Sequence, residues 1–302
     1  MASVLSLRPR HTIVLCAVLA PLLLAACGGG PSAATTTGST TPIGPPPAAI
    51  GPPTGADLAD VRRAAAHTLT QKVVVSVDYP NPGSLASPVI SGSGSFDLAQ
   101  ATGEASFSSP SGAESLVFQP DTLFDQPVPS QAMVLPQGRP WIRAQLNEKL
   151  HGSLFAQFLL RCEARDLGFL LSQVAWGART AAPLGPRVVG HAPANGYLVK
   201  VDLERAAAAA TGPRAVGFVR TARLLERIGG GSGRVSDQTI WVWIDRSGRI
   251  VALRASVPAS GIGTTLMTIT SFGTLAVQPV PPTRDQIVDL AALTALGDHD
   301  HD

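Results

Sequence analysis

Apolar and polar residues alternate along much of this chain, in short segments that Gly, Pro, Ser and Asn separate. Alternation with a period of two predicts strands that bury one face, and the separating residues are typical of turns. The pattern therefore predicts an antiparallel meander. Its predicted strands are residues 73–79, 89–98, 104–108, 114–119, a short run near Leu123, 133–135, 141–146, 187–191, 197–203, 239–244, 250–257 and 264–272.

Helical spacing of apolar residues is confined to a few segments. A first short helix is predicted from an N-cap pattern at Asp57, with one apolar face that extends to Leu69. Residues 206–210 and 214–228 are further predicted helices, and the second ends at three consecutive glycines.

The middle of the chain is unusually apolar. Residues 154–176 carry apolar side chains at mostly helical spacing, interrupted near Gly168. A solvent-facing amphipathic helix needs only one apolar stripe. We therefore expect this segment to cover an apolar face of the sheet.

Two local patterns refine the strands. In segment 239–244 the aliphatic residues fall on one face, while Trp241 and Trp243 fall on the other, so both faces need a cover. The dipeptide Asn195-Gly196 lies between two predicted strands and is a strong hairpin signal.

The N-terminus has the features of an export signal. Arg8 and Arg10 precede an apolar run at residues 13–24, which is shorter than the roughly 20 residues that span a bilayer. The run ends at Leu24-Ala25-Ala26-Cys27, which resembles a bacterial lipobox, in which the Cys is diacylated and becomes the first residue of the mature protein. The alternative is an ordinary secreted protein with a chance Cys at this position.

These features divide the chain into four parts. Residues 1–26 are the predicted signal peptide, and residues 27–56 are the lipidated Cys27 with a tether rich in Gly, Pro and Thr. Residues 57–296 are one domain, long enough for a large core, and residues 297–302 are a tail. Two or three acyl chains on one Cys would hold the domain at a membrane without spanning it.

Charge argues against a nucleic-acid partner. Of the 23 basic residues, Arg8 and Arg10 lie in the signal, which leaves 21 against 21 acidic residues. The mature chain has no basic run, so we expect no nucleic-acid binding.

The sequence gives little support for a catalytic site or a metal site. The chain has no Gly-x-Ser-x-Gly sequence, and His67, His151 and His191 each stand alone near the end of an element. Cys162 lies in an apolar segment and is predicted to be a buried, inert thiol. The His and Asp residues of the tail could bind a metal, but a solvated terminus is the better interpretation. We predict no enzyme activity, no cofactor and no metal site.

A family resemblance follows from the order of elements in the second half. The chain runs from a hairpin through Val201-Asp202-Leu203-Glu204-Arg205-Ala206-Ala207 into a helix, and then to Trp241-Val242-Trp243-Ile244-Asp245-Arg246-Ser247-Gly248-Arg249-Ile250. This order, with the Trp-bearing strand Arg139-Pro140-Trp141-Ile142-Arg143 after the first meander, is similar to the actinobacterial LppX/LprG-type lipoproteins. Their broader relatives are the LolA/LolB-like lipid carriers.

The resemblance implies an α+β fold in which a strongly curved antiparallel half-barrel carries helices on its concave face, with an apolar cavity between them. It implies a membrane-anchored envelope lipoprotein, held by Cys27 on the extracytoplasmic side, that binds a lipid or glycolipid and possesses a transporter partner in the envelope. The candidate cavity-lining residues are Leu154, Phe155, Phe158, Leu159, Phe169, Leu170, Val174, Trp141, Trp241 and Trp243.

Two functions from different classes remain open at this point. The same fold with a collapsed core would suit a non-catalytic interaction protein of an envelope complex. A large cavity favours lipid binding, and a filled interior favours the interaction protein. A hydrolase is the weakest alternative.

Overall fold

The computed structural model describes residues 47–80, 89–133, 135–146, 153–228, 237–257, 263–273 and 279–293. The strands within these ranges are β1 (Lys72–Pro80), β2 (Val89–Asp97), β3 (Thr102–Ser109), β4 (Gly112–Phe118), β5 (Thr122–Gln126), β6 (Trp141–Gln145), β7 (Ala178–Val189), β8 (Ala192–Asp202), β9 (Asp237–Asp245), β10 (Ile250–Val257), β11 (Gly263–Phe272) and β12 (Ile287–Asp289).

Helices connect or flank these strands. They are α1 (Gly55–Thr68), α2 (Pro129–Ala132), α3 (Ser153–Glu163), α4 (Leu167–Gly177), α5 (Leu203–Ala209) and α6 (Gly212–Ile228), with a short 3-10 turn at Arg284–Gln286.

All twelve strands belong to one curved sheet that does not close. Its order is β12-β6-β5-β4-β3-β2-β1-β11-β10-β9-β8-β7, and neighbouring strands are antiparallel except for β6 and β12. The pairing of β1 with β11 joins the first meander to the last one. The α+β half-barrel expected from the resemblance is therefore confirmed, with β7 and β12 as its edges.

The two faces of the sheet have different covers. Alternate residues of the strands form the main core with the helices, as Ile240 and Val242 of β9 do. Trp241 and Trp243 belong to a second, smaller cluster on the opposite face. The helices thus lie on the concave face, and the smaller cluster lies on the convex face.

Helix α1 begins earlier than its sequence pattern indicates. Thr54 is the N-cap, and its Oγ1 accepts a hydrogen bond of 3.1 Å from the backbone N of Asp57. Asp57 therefore lies in the first turn, where its negative charge favours the helix dipole.

The predicted strand at residues 133–135 is wrong. The chain forms helix α2 just before it, with Pro129 at the first helical position, and Met133 ends that helix as its C-cap. Residue 134 lies outside the described residues.

The predicted hairpin turn at Asn195-Gly196 is also misplaced. Both residues lie inside β8, and the turn falls at Gly190 and His191, between the paired residues Val189 and Ala192. Gly190 has φ +59°, which the tight turn needs. Gly196 is instead a position of close approach, since a Cβ there would come within 2.9 Å of Nε1 of Trp243.

The N-terminal segment crosses one edge of the sheet. The carbonyl oxygen of Pro47 accepts a hydrogen bond of 3.1 Å from Nε1 of Trp241 on the convex face. The backbone N of Ile50 then donates to the carbonyl oxygen of Pro183 in edge strand β7, at 2.8 Å. Residues 47–51 therefore lead from the convex face around β7 to α1.

Candidate functional site

The apolar middle segment forms two helices with different surroundings. Helix α4 is buried all round, since residues 167–174 are all buried and it packs against α1, α5, β7 and β8. A helix that is apolar on every side belongs in an interior. Helix α3 packs on α6, and its Arg161, together with Arg165 in the turn that follows the helix, reaches across to β4.

Five of the predicted cavity residues meet in the main core. Leu159 of α3 and Leu170 and Val174 of α4 are fully buried, and Phe169 is nearly so. Phe158 is half-buried and packs against the same core. The structure thus brings together the candidates that the helical segment contributes.

Three other candidates lie outside the described structure. Leu154 and Phe155 belong to α3, but their side chains are not among the described parts, and Cys27 also lies outside the described residues. Their predicted roles stay predictions.

The three tryptophan candidates are not where the resemblance led us to expect them. Trp241 and Trp243 belong to the convex-face cluster. Trp141 alternates along β6 with Ile142 and Ala144, which contact the main core, so it also faces away from the helices. None of the three shares an interior cavity with α3 and α4. Alternation showed that the tryptophans share a face but not which face the helices cover.

A buried ionic cluster fixes α3 to the sheet. Arg165 has a fully buried side chain, and its Nη1 and Nη2 lie 2.8 and 2.9 Å from the two carboxylate oxygens of Glu114 in β4. Nη2 of Arg161 donates to the same carboxylate at 2.8 Å. The Arg165 guanidinium also lies 4.8 Å from the ring centroid of Phe107. An arginine is thus held inside the apolar interior by one carboxylate and an aromatic ring.

The pKa values of the two acidic residues in and beside this cluster are shifted in opposite directions. Burial by itself would raise the pKa of Glu114, but the charges of Arg165 and Arg161 outweigh it and lower that pKa to about 2. Asp125 on the neighbouring strand β5 behaves oppositely, because burial and the charge of Glu114 raise its pKa to about 7. Burial also raises the pKa of the Cys162 thiol well above its usual range. A thiol held protonated in this way is a poor nucleophile.

A second ionic contact joins α3 to α6. Glu163 accepts a hydrogen bond from the Arg220 guanidinium, and Oγ1 of Thr221 lies 3.5 Å from its other oxygen. Burial raises the pKa of Glu163, and Arg220 opposes that rise. The two ends of the contact are nearly enclosed, so α3 is held on both sides by charged groups.

The start of α4 is fixed in a related way. Oδ1 of Asp166 accepts a hydrogen bond of 2.8 Å from the backbone N of Gly168, which caps the helix. Arg214 of α6 donates to Oγ of Ser172 in α4. Helix α6 therefore contacts both α3 and α4 through arginines.

Two small cavities are present in the described part. One of about 30 Å³ lies at the rim of the core near Phe169, Glu163 and Arg214. The other, of about 130 Å³, lies on the convex face near Trp243 and Arg187. Both are smaller than the roughly 300–1,000 Å³ of small-molecule sites. Within the described residues, the core between the helices and the sheet is packed with side chains.

The candidate catalytic and metal residues remain scattered. His67 and His191 are exposed at the ends of elements, and His151 lies outside the described residues. Among the described residues, no three His, Cys, Asp or Glu side chains gather as a metal site would need. The tail at residues 297–302 is not described.

The buried ionic cluster is the part of the site that the sequence analysis missed. Glu114 lies 47 and 51 positions from its two arginine partners, so their pairing depends on tertiary structure. One signal was present: Arg161 and Arg165, at a spacing of four, put two charges on one face of an otherwise apolar helix.

The described helices include none long and apolar enough to cross a membrane. The predicted signal peptide lies outside this part of the chain.

No protein-family model matches the chain, and no curated protein matches it either. Among solved structures, the lipoprotein LprF from Mycobacterium bovis is 14% identical with a TM-score of 0.41, and the alignment covers 77% of this chain and 100% of that one. Lipoprotein LppX from Mycobacterium tuberculosis is 16% identical with a TM-score of 0.40, covering 74% and 98%. A LolA superfamily protein from Nitrosomonas europaea is 9% identical with a TM-score of 0.28, covering 75% and 94%. The solved structures that the chain is similar to thus include a lipoprotein LppX and a LolA superfamily protein, which are the names that the sequence resemblance also gave.

Proposed function

We propose that this protein is a membrane-anchored lipoprotein of the cell envelope that binds a lipid or another long apolar molecule between its helices and the concave face of its sheet. The observation that carries the proposal is the layer between α3 and the first meander. Leu159 and Leu160 of α3 are buried in the same apolar cluster as the rings of Phe96 and Phe107 of β2 and β3. Acyl chains gain about 0.8 kcal/mol per buried methylene in such surroundings.

The anchor rests on the sequence at Cys27. Acylation there would hold the protein at the outer side of a cell membrane, and residues 28–46 would join the anchor to the described domain. No catalytic step is proposed, since the buried thiol and the isolated histidines offer no activated nucleophile. A transporter partner in the envelope stays a prediction.

Two cavities of the described part, of about 30 and about 130 Å³, are too small for a long acyl chain. Entry of a ligand therefore requires α3 to move away from β1–β5. Ionic contacts hold α3 there beside its apolar packing, with Glu114 on one side and Arg220 on the other.

The test is lipid mass spectrometry on the protein purified from membranes, after organic extraction, with two matched alanine variants. Ala105→Trp places an indole on the concave face of β3, where Ala105 is buried. Ala113→Trp places one at an exposed position of the adjacent strand β4. The proposal expects bound lipid in the wild type and in Ala113→Trp, and much less in Ala105→Trp, with the folding of each variant checked by circular dichroism. Wild-type protein without co-purified lipid would contradict it.

A second candidate is an interaction protein of an envelope complex, and the packed core favours it. A protein that binds no ligand has no need of an openable interior, and the main core is filled by side chains from all layers. Absence of lipid, together with full biological function of Ala105→Trp, would favour this candidate.

A further inference from the structure

We propose that the ligand of this protein carries a compact anionic head, a carboxylate or a phosphate, and that Arg161 binds this head at one end of the layer between α3 and strands β4 and β5. The inference rests on the lipid binding proposed above, and it adds the chemical class of the ligand and the residue that recognises it. Neutral and cationic amphiphiles are the alternatives.

Two cations share one carboxylate in the buried ionic cluster. Oε1 of Glu114 accepts hydrogen bonds from Nη2 of Arg161 and Nη2 of Arg165, at 2.8 and 2.9 Å, and its Oε2 lies 2.8 Å from Nη1 of Arg165. Arg165 thus contacts both oxygens, while Arg161 shares only one of them. Within the described part of the chain, the Arg161 guanidinium has no other acceptor. Its positive charge is therefore only partly balanced.

The second acidic group nearby, Asp125, does not complete the balance. Its side chain is buried, and its Oδ1 has no hydrogen-bond partner. On the neighbouring strands it lies opposite two apolar residues, Leu116 of β4 and Ile142 of β6. An ionised carboxylate is costly in such surroundings, and burial and the charge of Glu114 raise the pKa of Asp125 to about 7. Below that pH, the two arginines face a single negative charge.

The other titratable groups around the cluster are neutral. Among the described residues they are Tyr79 of β1 and Cys162 of α3, and burial raises the pKa of both side chains. They leave the excess of positive charge unchanged. Charges in a partly dehydrated position interact more strongly than in water. The cluster therefore disfavours a cationic head and attracts an anionic one.

Arg161 is the member of the cluster that a ligand can reach. Its side chain is 28% exposed, whereas that of Arg165 is fully buried. Glu114 lies near the start of β4 and Asp125 near the end of β5, so the cluster is at one end of these paired strands. A head can therefore approach Arg161 from solvent at that end while Arg165 keeps its pairing with Glu114.

Apolar side chains next to Arg161 provide a place for the chain of the same ligand. Phe158 precedes Arg161 by three positions and so lies on the same face of α3. Phe158 and Ile142 are both half-buried and pack against the main core. An arginine presents planar donors that match two oxygens of a carboxylate or a phosphate. An amphiphile with its head at Arg161 would thus place its chain along Phe158 into the layer below α3.

The experiment labels the full-length protein with photoreactive amphiphiles in micelles of a neutral maltoside detergent. The probes share one saturated chain that bears a diazirine, and their heads are an alcohol, a carboxylate, a phosphate or a sulfate. Mass spectrometry of the intact protein measures labelling against probe concentration. We expect the wild type to bind the carboxylate or the phosphate about tenfold more tightly than the alcohol, the effect of one charge-assisted hydrogen bond. The tighter of these two anionic probes identifies the source of the head.

Variants of Arg161 test the site itself. Arg161→Gln leaves the pair of Arg165 and Glu114 in place and should weaken binding of the anionic probes by about tenfold, with binding of the alcohol unchanged. Arg161→Lys keeps the charge and should keep most of the preference. The matched control is Arg246→Gln, at an exposed position in the turn after β9, which removes the same charge elsewhere and should change nothing. Thermal melting checks the fold of each variant.

The pH dependence of binding gives a second readout. The sulfate probe is ionised throughout the range from about pH 6 to 8, so a change in its binding comes from the protein. Ionisation of Asp125 would give Arg161 a competing carboxylate. Binding of the sulfate to the wild type should therefore weaken several-fold as pH rises through 7, and binding to Asp125→Asn should stay tight. This comparison does not depend on the folding of any Arg161 variant.

The outcomes separate this inference from the proposed function. Equal binding of all four probes to the wild type overturns the anionic head and leaves lipid binding intact. Binding of none of them overturns both. A preference for anionic probes that a folded Arg161→Gln retains in full places the head elsewhere and overturns the site.

Discussion

Arg165 is fully buried without contact with solvent, which is an expensive position for a cation. Its two contacts with Glu114, and its place over the Phe107 ring, compensate for the lost hydration. Arg161 shares the same carboxylate while remaining partly exposed. One carboxylate, that of Glu114, therefore pairs with two cations, and the stability of the α3 region depends on it.

Replacement of Glu114 by Gln should destabilise the fold strongly. The amide cannot balance the buried charge of Arg165, and breaking a buried pair in this way costs about 3–5 kcal/mol. Chemical denaturation at neutral pH measures the change. Glu104→Gln on the convex face of β3 is the control and should change stability by less than about 0.5 kcal/mol. Equal effects of both substitutions would show that the cluster contributes nothing specific.

Asp125 should make the protein less stable as pH rises. Its pKa is about 7 in the folded state, against an ordinary value of 3.8, so the folded state retains a proton that the unfolded chain releases. The stability that this protonated carboxyl contributes is complete below about pH 4 and is lost as pH rises through 7, with a slope of up to about 1.4 kcal/mol per pH unit. Denaturation curves from pH 4 to 8 measure it.

The matching variant is Asp125→Asn, which mimics the protonated state and should flatten this pH dependence. Asp121→Asn, at an exposed position just before β5, should leave it unchanged. A wild-type curve that rises over the same pH range would mean that Asp125 titrates normally. Glu114 has the opposite sign, and because its pKa is about 2 its contribution is lost only in more acidic solution.

At the scale of elements, the two helices of the apolar segment have separate tasks. Helix α4 is enclosed by α1, α5 and the sheet and behaves as a core element. Helix α3 is held to β4 and α6 through charged side chains. The break between them, at residues 164–166, lies where Asp166 caps α4. The movement of α3 proposed above would have its pivot at this break, beside α4.

Leu170→Ala should carry the full cost of a core truncation. Leu170 is fully buried in α4, and removal of such a side chain leaves a void that costs about 2–5 kcal/mol. Val219→Ala on α6, where the valine is partly exposed, should cost much less. Urea denaturation of both variants gives the comparison. A small loss for Leu170→Ala would indicate that α4 borders an open cavity.

Much of this architecture was predictable, because period-two alternation identifies strands that bury one face. Strand β10 was predicted with its observed bounds, and β1, β6 and β11 to within one residue at each end, while β9 begins two residues earlier than predicted. The first half of strand β7 was not predicted. It contains Ala181-Ala182-Pro183-Leu184-Gly185, in which apolar and polar residues do not alternate. Pairing with β8 on one side and contact with α1 make this segment a strand despite its local sequence.

The site was less predictable than the fold. The apolar spacing in residues 154–176 identified the helices that fill the interior, but the tryptophans of β6 and β9 were assigned to the wrong face. Alternation defines two faces and is silent about which one the helices cover. The partner of Arg165 was equally hidden, since a pair 51 residues apart leaves no periodic signal.

At the scale of the whole molecule, the two faces of one sheet have different covers. The concave face and α3 would receive the apolar ligand of the proposed function, while the smaller cluster with Trp241 and Trp243 covers part of the convex face. The chain crosses between these faces at β7, where residues 47–51 connect Trp241 to α1.

The proposed function depends on attachment at Cys27, so the final prediction concerns the anchor. Cys27→Ala should release the protein from membranes or leave the precursor uncleaved, because two or three acyl chains on that Cys would provide a stable attachment. Cys16→Ala, within the apolar run of the signal, is the matched control and should fractionate as the wild type does. Ultracentrifugation of cell envelopes, with electrophoretic mobility to follow processing, measures both variants. If Cys27→Ala fractionated and migrated like Cys16→Ala, the protein would not be a lipoprotein, and the proposed anchor would be lost.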